Sequence, residues 1–265
     1  MIEGEAALKL PDQNFQTIRL DMSEDERAEY KKPVTEYLGN YPIKLLALEL
    51  KIVTKRQRAG NYYDGAKTGS IAMIQASQDA DLSKLTKLNY LITDLKALRV
   101  KEPNMHCVVF THNKGGYYMI KKALENEGLV TEGFTSDDTP SRRSKSIRDF
   151  QDSIKAVEEG RETKGGSVAK VFVATMKIGN VGITLTAATR VYLFEPCIDI
   201  ATEVQAAGRI HRLGQTKNVL VKRLVFNNSI ESRIDEVHEE IKKGNLEVKD
   251  GYYPTDLLNI LLLDR

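Results

Sequence analysis

The sequence predicts an α/β fold: a mostly parallel sheet flanked by helices, with a helical extension at its N-terminal end. Two observations predict it. At least five short apolar runs, among them CVVFT at 107–111, KVFVAT at 170–175 and VYLF at 191–194, alternate with stretches of helical period. The strand, helix, strand spacing also leaves room for crossover helices, which parallel pairing requires. Before residue 83 this alternation is absent. Residues 1–82 therefore read as an opening strand and a helical protrusion, 83–228 as the core, and 229–265 as a C-terminal helical brace.

Composition sets bounds on function. The chain has 265 residues, 41% apolar and 29% charged, enough to bury a sizeable core. Its apolar runs all fall well short of the ~20 residues of a membrane-spanning helix, so no membrane partner is expected. The first residues, MIEGEAALKLP, lack the basic start and apolar stretch of a signal peptide. Cys107 and Cys197 lie far apart in apolar surroundings, which points to free thiols in a reducing compartment. The four histidines and two cysteines show no metal-ligand spacing. A net charge of +2 neither demands nor excludes nucleic acid, so local clusters matter more than the sum.

Taken in order, residues 10–20 read as an extended segment, with Ile18 and Leu20 alternating. Ser23 to Glu26 spells a capping box, so a helix starts at Glu24 and runs to about Leu38. Gly39 and Pro42 break it, and a second helix covers about 43–58. That helix ends in Lys51, Lys55, Arg56 and Arg58, either a solvated end favoured by the macrodipole or a DNA-facing cluster. Residues 59–70 are loop by composition.

Leu85, Leu88, Ile92, Leu95 and Leu98 mark an amphipathic helix over 83–98. After the strand at 107–111 comes a helix at 117–127, closed by Gly128, and a strand at 130–134. Thr139-Pro140 is an N-cap followed by proline at the first helical position. The helix it opens buries Ile147, Phe150, Ile154 and Val157. Arg142, Arg143, Lys145 and Arg148 crowd its first turns, where the helix dipole disfavours cations, so they are either ordinary surface charge or matched to an anion.

Residues 160–167, GRETKGGS, nearly spell a phosphate-binding loop. They precede a strand instead of following one and place Gly166 where lysine belongs, so they read as a flexible linker. Strands at 170–175 and 191–194 follow, then one at 219–225. Ile230, Ile234, Val237 and Ile241 mark a further helix, and Thr255 caps a last one at 256–263.

The stretch QAAGRIHRLGQ, 205–215, carries the chemistry. Read as part of a helix beginning near Asp199, it places Gln205, Arg209 and Arg212 on one arc, spaced i, i+4, i+7. Gly208 beside them adds no bulk and lets a ligand approach. Two guanidiniums and an amide above a glycine suit phosphate oxygens better than they suit a solvated face.

These residues also carry a resemblance. Q-x-x-x-R-x-x-R-x-G-Q resembles motif VI of the Swi/Snf-like DNA translocases of helicase superfamily 2. SKLTKL at 83–88 is similar to the element that opens the family's second RecA-like lobe. VVFTHN at 108–113 resembles motif IV, TPSRRSKSIRDF at 139–150 the family's T-P-x-x-R-x-x-x-I-x-x-F element, and TMKIGNVGITLTAAT at 175–189 motif V. SIESRI at 229–234 is similar to the T-I-E-E-R-I after motif VI, and LPDQNFQTIRLDMSEDERAEY at 10–30 to the lobe-opening strand and helix. Lysine in motif V and the FEPC at 194–197 resemble the branch of helicase-like transcription factor and postreplication-repair translocases. Asn180 and Thr184 depart from the usual glycine and asparagine of motif V, and Gly208 from the aspartate of many motifs VI.

The resemblance implies a RecA-like C-terminal lobe of a duplex-DNA-dependent ATPase, in the nucleus if the source is a cellular eukaryote and in cytoplasm or virus otherwise. Arg209 and Arg212 would be arginine fingers, with Gln205 orienting nearby groups. Gly182, Thr184 and Gly208 would line the nucleotide. His112, Asn113, Lys114, Arg143, Lys177 and Thr186 would meet the DNA backbone. ATP and Mg²⁺ would be held mainly by an N-terminal lobe, because this chain has no phosphate loop. Double-stranded DNA, that other lobe and nucleosomes are the partners implied. Two other readings compete: a lobe without turnover that serves as a DNA- or protein-binding scaffold, and an RNA helicase of the same superfamily.

Overall fold

The computed structural model describes residues 10–28, 84–112, 114–158, 169–176, 182–197 and 199–246. Several expectations lie outside them: the helix at 43–58 with its basic cluster, the loop at 59–70, the linker at 160–167, the helix at 256–263, Asn113, Lys177 and Asn180.

Six strands form one sheet in the order β1-β6-β5-β2-β4-β3. They are β1 (Gln13–Leu20), β2 (His106–Thr111), β3 (Val130–Phe134), β4 (Lys170–Thr175), β5 (Arg190–Leu193) and β6 (Val219–Phe226). β2 pairs parallel with β4 and β5, β3 with β4, and β5 with β6. Val219 N–H donates to Asp12 O, and Asn227 N–H to Leu20 O, so β1 keeps one offset along β6, as a parallel pair does. The helices are α1 (Thr86–Lys101), α2 (Lys114–Asn126), α3 (Pro140–Glu158), α4 (Ile200–Ala207) and α5 (Ile230–Lys242).

The sequence sets this architecture through burial. β2 is buried at all six positions, as an unbroken apolar run in a central parallel strand should be. Phe172 on β4 meets Phe134 of β3 and Phe150 of α3 edge-on, at centroid distances of 5.7 and 5.2 Å. Val108, Val191, Leu193, Ile210 and Val221 extend the same core. At Gly133 φ is +142°, and an added Cβ would lie 2.0 Å from Val173 O, so β3 and β4 meet there only because the residue is glycine.

The chain divides into two compact units, within residues 1–18 and 90–224 and within residues 19–89 and 225–265. The second is stapled by carboxylates. The capping box forms: Glu26 accepts from Ser23 N–H at 2.9 Å, and Ser23 Oγ accepts from Glu26 N–H at 3.2 Å. Glu26 also accepts from Thr86 N–H and Thr86 Oγ–H, which caps the start of α1. Glu231 holds Lys87 at 2.6 Å and Phe226 N–H at 2.8 Å. Ser229 N-caps α5.

Candidate functional site

Parallel strands bring their C-terminal ends to one edge, where such sheets hold ligands. Two buried carboxylates organise this edge. Glu195, just past β5, accepts from Thr111 Oγ–H at 3.0 Å and His112 N–H at 3.1 Å, joining the ends of β5 and β2. His112 donates from Nε2 to Pro196 O at 2.9 Å, so its ring closes back onto the same turn. Glu203, fully buried on α4, accepts from Cys197 N–H at 2.8 Å and pairs with Arg223 of β6 at 2.8 Å. That ion pair fixes α4 against the sheet, since a buried charge without its partner is costly.

α4 begins as the sequence predicts. Asp199 N-caps it, accepting from Ala201 N–H at 3.0 Å and Thr202 Oγ–H at 2.8 Å. It ends sooner than predicted: Ala207 is its last residue and Gly208 its cap. Arg209 and Arg212 therefore lie past the regular helix, in a turn where Arg209 N–H donates to Ala206 O and His211 N–H to Ala207 O, both at 3.1 Å. Tertiary bonds hold this turn in place. Leu185 N–H donates to Arg209 O at 2.9 Å, and the Gln215 amide donates to Thr186 O, Ala188 O and Ile210 O at 3.1, 2.9 and 3.4 Å. These bonds draw 209–215 down onto 185–188. Gly214 turns the chain with φ at +99°, a conformation glycine adopts freely.

The two arginines differ within this loop. Arg212 donates from Nε to Gly208 O at 2.9 Å and from Nη1 to Thr184 Oγ at 3.4 Å. Arg209 Nε is buried and without a hydrogen-bond partner among the described residues. Burial lowers the Arg209 pKa, and the positive charge of Arg212 lowers it further. Arg209 nevertheless stays cationic at neutral pH, as guanidiniums do. Two adjacent cations, one with a buried N–H to spare, offer the charge and the donors that an anion takes. Thr184 and Gly208 join this group through Arg212. Gln205 stands exposed on the last turn of α4, and Gly182 is exposed ahead of Thr184.

The predicted backbone-binding residues separate into two settings. Lys114 is the first residue of α2, not a loop residue, and its Nζ pairs with Asp137 at 2.5 and 2.6 Å. Arg143 donates from Nε to Asp138 O at 2.8 Å and from Nη2 to Ser136 O at 2.6 Å. Arg142 pairs with Asp138 at 2.9 Å. All three hold the loop between β3 and α3. Thr186 lies instead beside the arginine loop, where its Oγ accepts from Gln151 Nε2 at 3.2 Å.

Sequence reasoning gave Gln215 no role beyond closing its motif and missed Gln151, Glu195 and Glu203. A polar residue inside an apolar neighbourhood was the available signal, and only Glu203 carried it clearly, between Ala201 and Ala206 on α4. Among the described residues no cluster of His, Cys, Asp or Glu could hold a metal ion, and no helix is long and apolar enough to cross a membrane.

Residues 83–214 match the helicase conserved C-terminal domain. The chain is 35% identical over 170 residues to a putative SWI/SNF-related matrix-associated actin-dependent regulator of chromatin, subfamily A member 3-like 1, of Arabidopsis thaliana. That match covers 64% of this chain and 18% of the relative. It is 29% identical over 203 residues to the DNA repair protein RAD5 of Cryptococcus neoformans, covering 74% of this chain and 16% of that one. Human and mouse helicase-like transcription factors are also similar. The chain thus spans less than two thirds of these relatives. In fold it is similar to the SWI2/SNF2 ATPase core of Sulfolobus solfataricus solved with dsDNA. The TM-score is 0.61 at 19% identity, over 86% of this chain and 44% of that one.

Proposed function

We propose, from the premise that this chain is a helicase C-terminal domain of the Swi/Snf-like kind, that it is the C-terminal motor lobe of an ATP-dependent duplex-DNA translocase. Chromatin remodelling or DNA repair would be its setting and the nucleus its location. The observation that carries this reading is the arginine loop. Arg209 has a buried, unpartnered Nε and lies beside Arg212, and no acid contributes to its shift. A site with that surplus of positive charge fits the phosphates of a nucleotide.

Phosphoryl transfer spreads negative charge over the transferred group, and catalysis is mostly positioning and charge stabilisation. Arg209 and Arg212 supply that stabilisation from across a cleft. Arginine fingers contribute roughly 10³ to 10⁵ in rate, or about 4 to 7 kcal/mol of barrier. Gln205 orients groups at the same place, and Gly182, Thr184 and Gly208 line the nucleotide. Mg²⁺ would neutralise phosphate charge when bound, held by carboxylates of the N-terminal lobe. Closure of the two lobes would then control turnover, and duplex DNA that favours closure would stimulate it. His112, Lys114, Arg143 and Thr186 are the described candidates for backbone contacts, with Asn113 and Lys177 outside the described residues. Such contacts carry no sequence preference, as translocation requires.

ATP turnover measured with the N-terminal lobe present, with and without duplex DNA, tests the proposal. Strong stimulation that collapses in Arg212→Ala supports it. Duplex binding without turnover would favour a scaffold, and stimulation by RNA alone an RNA helicase. This chain by itself should hydrolyse ATP negligibly.

A further inference from the structure

The turn at 185–188 is gripped from two sides by side-chain amides. Gln151 of α3 accepts from Ala187 N–H at 2.8 Å through Oε1 and donates to Thr186 Oγ at 3.2 Å through Nε2. Gln215, only 6% exposed, reaches the same turn from the arginine loop. Its Nε2 lies 3.1 Å from Thr186 O, 2.9 Å from Ala188 O and 3.4 Å from Ile210 O, and its Oε1 accepts from Lys217 N–H at 3.0 Å. A primary amide has two N–H groups, so three carbonyls compete for them. The longest contact, to Ile210, is the one inside the arginine loop.

We infer that Gln215 and Gln151 are positioning residues that set the arginine loop, by clamping the turn at 185–188 between α3 and residues 209–215. The inference rests on the reading of Arg209 and Arg212 as catalytic groups. Three links tie the loop to this turn: Thr184 Oγ to Arg212 Nη1, Leu185 N–H to Arg209 O, and the Gln215 amide. The first two move with the backbone of the turn, and the two glutamines fix that backbone. Glutamine suits position 215 because it donates to carbonyls and accepts from an amide at once. A glutamate would set a carboxylate against three carbonyl oxygens, and a methionine would fill the space without donating. An arginine finger misplaced by even 1 Å loses most of its effect, so the amides act on rate through geometry alone.

The test uses Gln215→Met and the half-buried Gln151→Met in the two-lobe enzyme with duplex DNA. Each should lower kcat roughly tenfold, as loss of positioning does, and leave KM for ATP within about twofold. Arg209→Ala should then cost less in the Gln215→Met background than in the parent, because a misplaced finger has less to lose. In the chain alone, exchange of the Leu185 amide should quicken about tenfold in both variants, while melting shows the fold intact. Additive losses, or unchanged kcat together with unchanged Leu185 exchange, overturn the inference. If Arg209→Ala itself leaves turnover intact, the catalytic reading fails first. If Arg209→Ala abolishes turnover and both methionine variants run normally, only the clamp fails.

Discussion

Among the described residues, two cation-rich regions treat their charges in opposite ways. Around the loop between β3 and α3, Lys114 meets Asp137, Arg142 meets Asp138, and Arg143 is bound by the carbonyls of Ser136 and Asp138. In the arginine loop, Arg212 meets only a carbonyl and a hydroxyl, and Arg209 Nε meets nothing among the described residues. Arg223, by contrast, is buried and given Glu203. Among the described residues, the cations around the β3–α3 loop and Arg223 are given partners, and Arg209 Nε is not. Positive charge left unneutralised in a half-buried loop has a cost that only a bound anion removes.

The largest expected effect follows from that surplus. Arg209→Ala should lower DNA-stimulated ATP turnover by roughly 10³ or more with the N-terminal lobe present. It should leave the urea midpoint of the chain unchanged or slightly raised, because no side-chain bond is lost and an uncompensated charge is removed. A large loss of stability would show that Arg209 is a structural cation after all and would remove the contrast.

Next comes the opposite case. Glu203→Ala removes the carboxylate that pairs with the buried Arg223 guanidinium and accepts from Cys197 N–H. Breaking such a pair costs about 3 to 5 kcal/mol, read from urea unfolding. Glu203→Ala with Arg223→Met should recover part of that loss, because two apolar residues need no compensation. If both variants unfold alike, the cost lies in the Cys197 turn and not in the charge.

Much of this arrangement was legible in the sequence, and its limits are physical. β3 and the helix start near Asp199 follow from local patterns, and both appear where predicted. The difference is the length of α4. AAGRIHRL has helical character, with Gly208 as its one local stop signal. Beyond it, carbonyls at 186 and 188, far away in sequence, take the Gln215 amide and hold the chain. Gln215 was invisible as a clamp for the same reason: its partners are 27 and 29 residues distant. The cations of α3 were read as surface charge or as matched to an anion, and Arg142 meets its acid four residues back, while Lys114 finds its acid 23 residues on.

A smaller effect separates structural cations from binding ones. Arg143→Ala removes two bonds to carbonyls and should cost about 1 to 2 kcal/mol of stability. Arg143→Lys should not restore it, because one ammonium cannot reproduce the fork that spans Ser136 O and Asp138 O. If Arg143→Ala instead weakens duplex binding strongly while unfolding as the parent does, its carbonyl bonds are incidental and the residue belongs with Arg209.

The smallest effect is the most discriminating for DNA. The Lys114–Asp137 pair is exposed on both sides, and such pairs contribute about 0 to 1 kcal/mol, so Asp137 can be removed with little loss of stability. Asp137→Asn should raise affinity for duplex DNA a few-fold, whichever residue binds the backbone, because a repelling charge is gone. The salt dependence distinguishes the causes. If the released Lys114 takes up a phosphate, the slope of log K against log salt steepens by roughly one. If Lys114 stays idle, affinity rises without that change. In the first case Asp137 is an internal stand-in for DNA, and compensation at the β3–α3 loop is reversible. In the second the two cation-rich regions divide cleanly, one built to fold and the other to receive an anion.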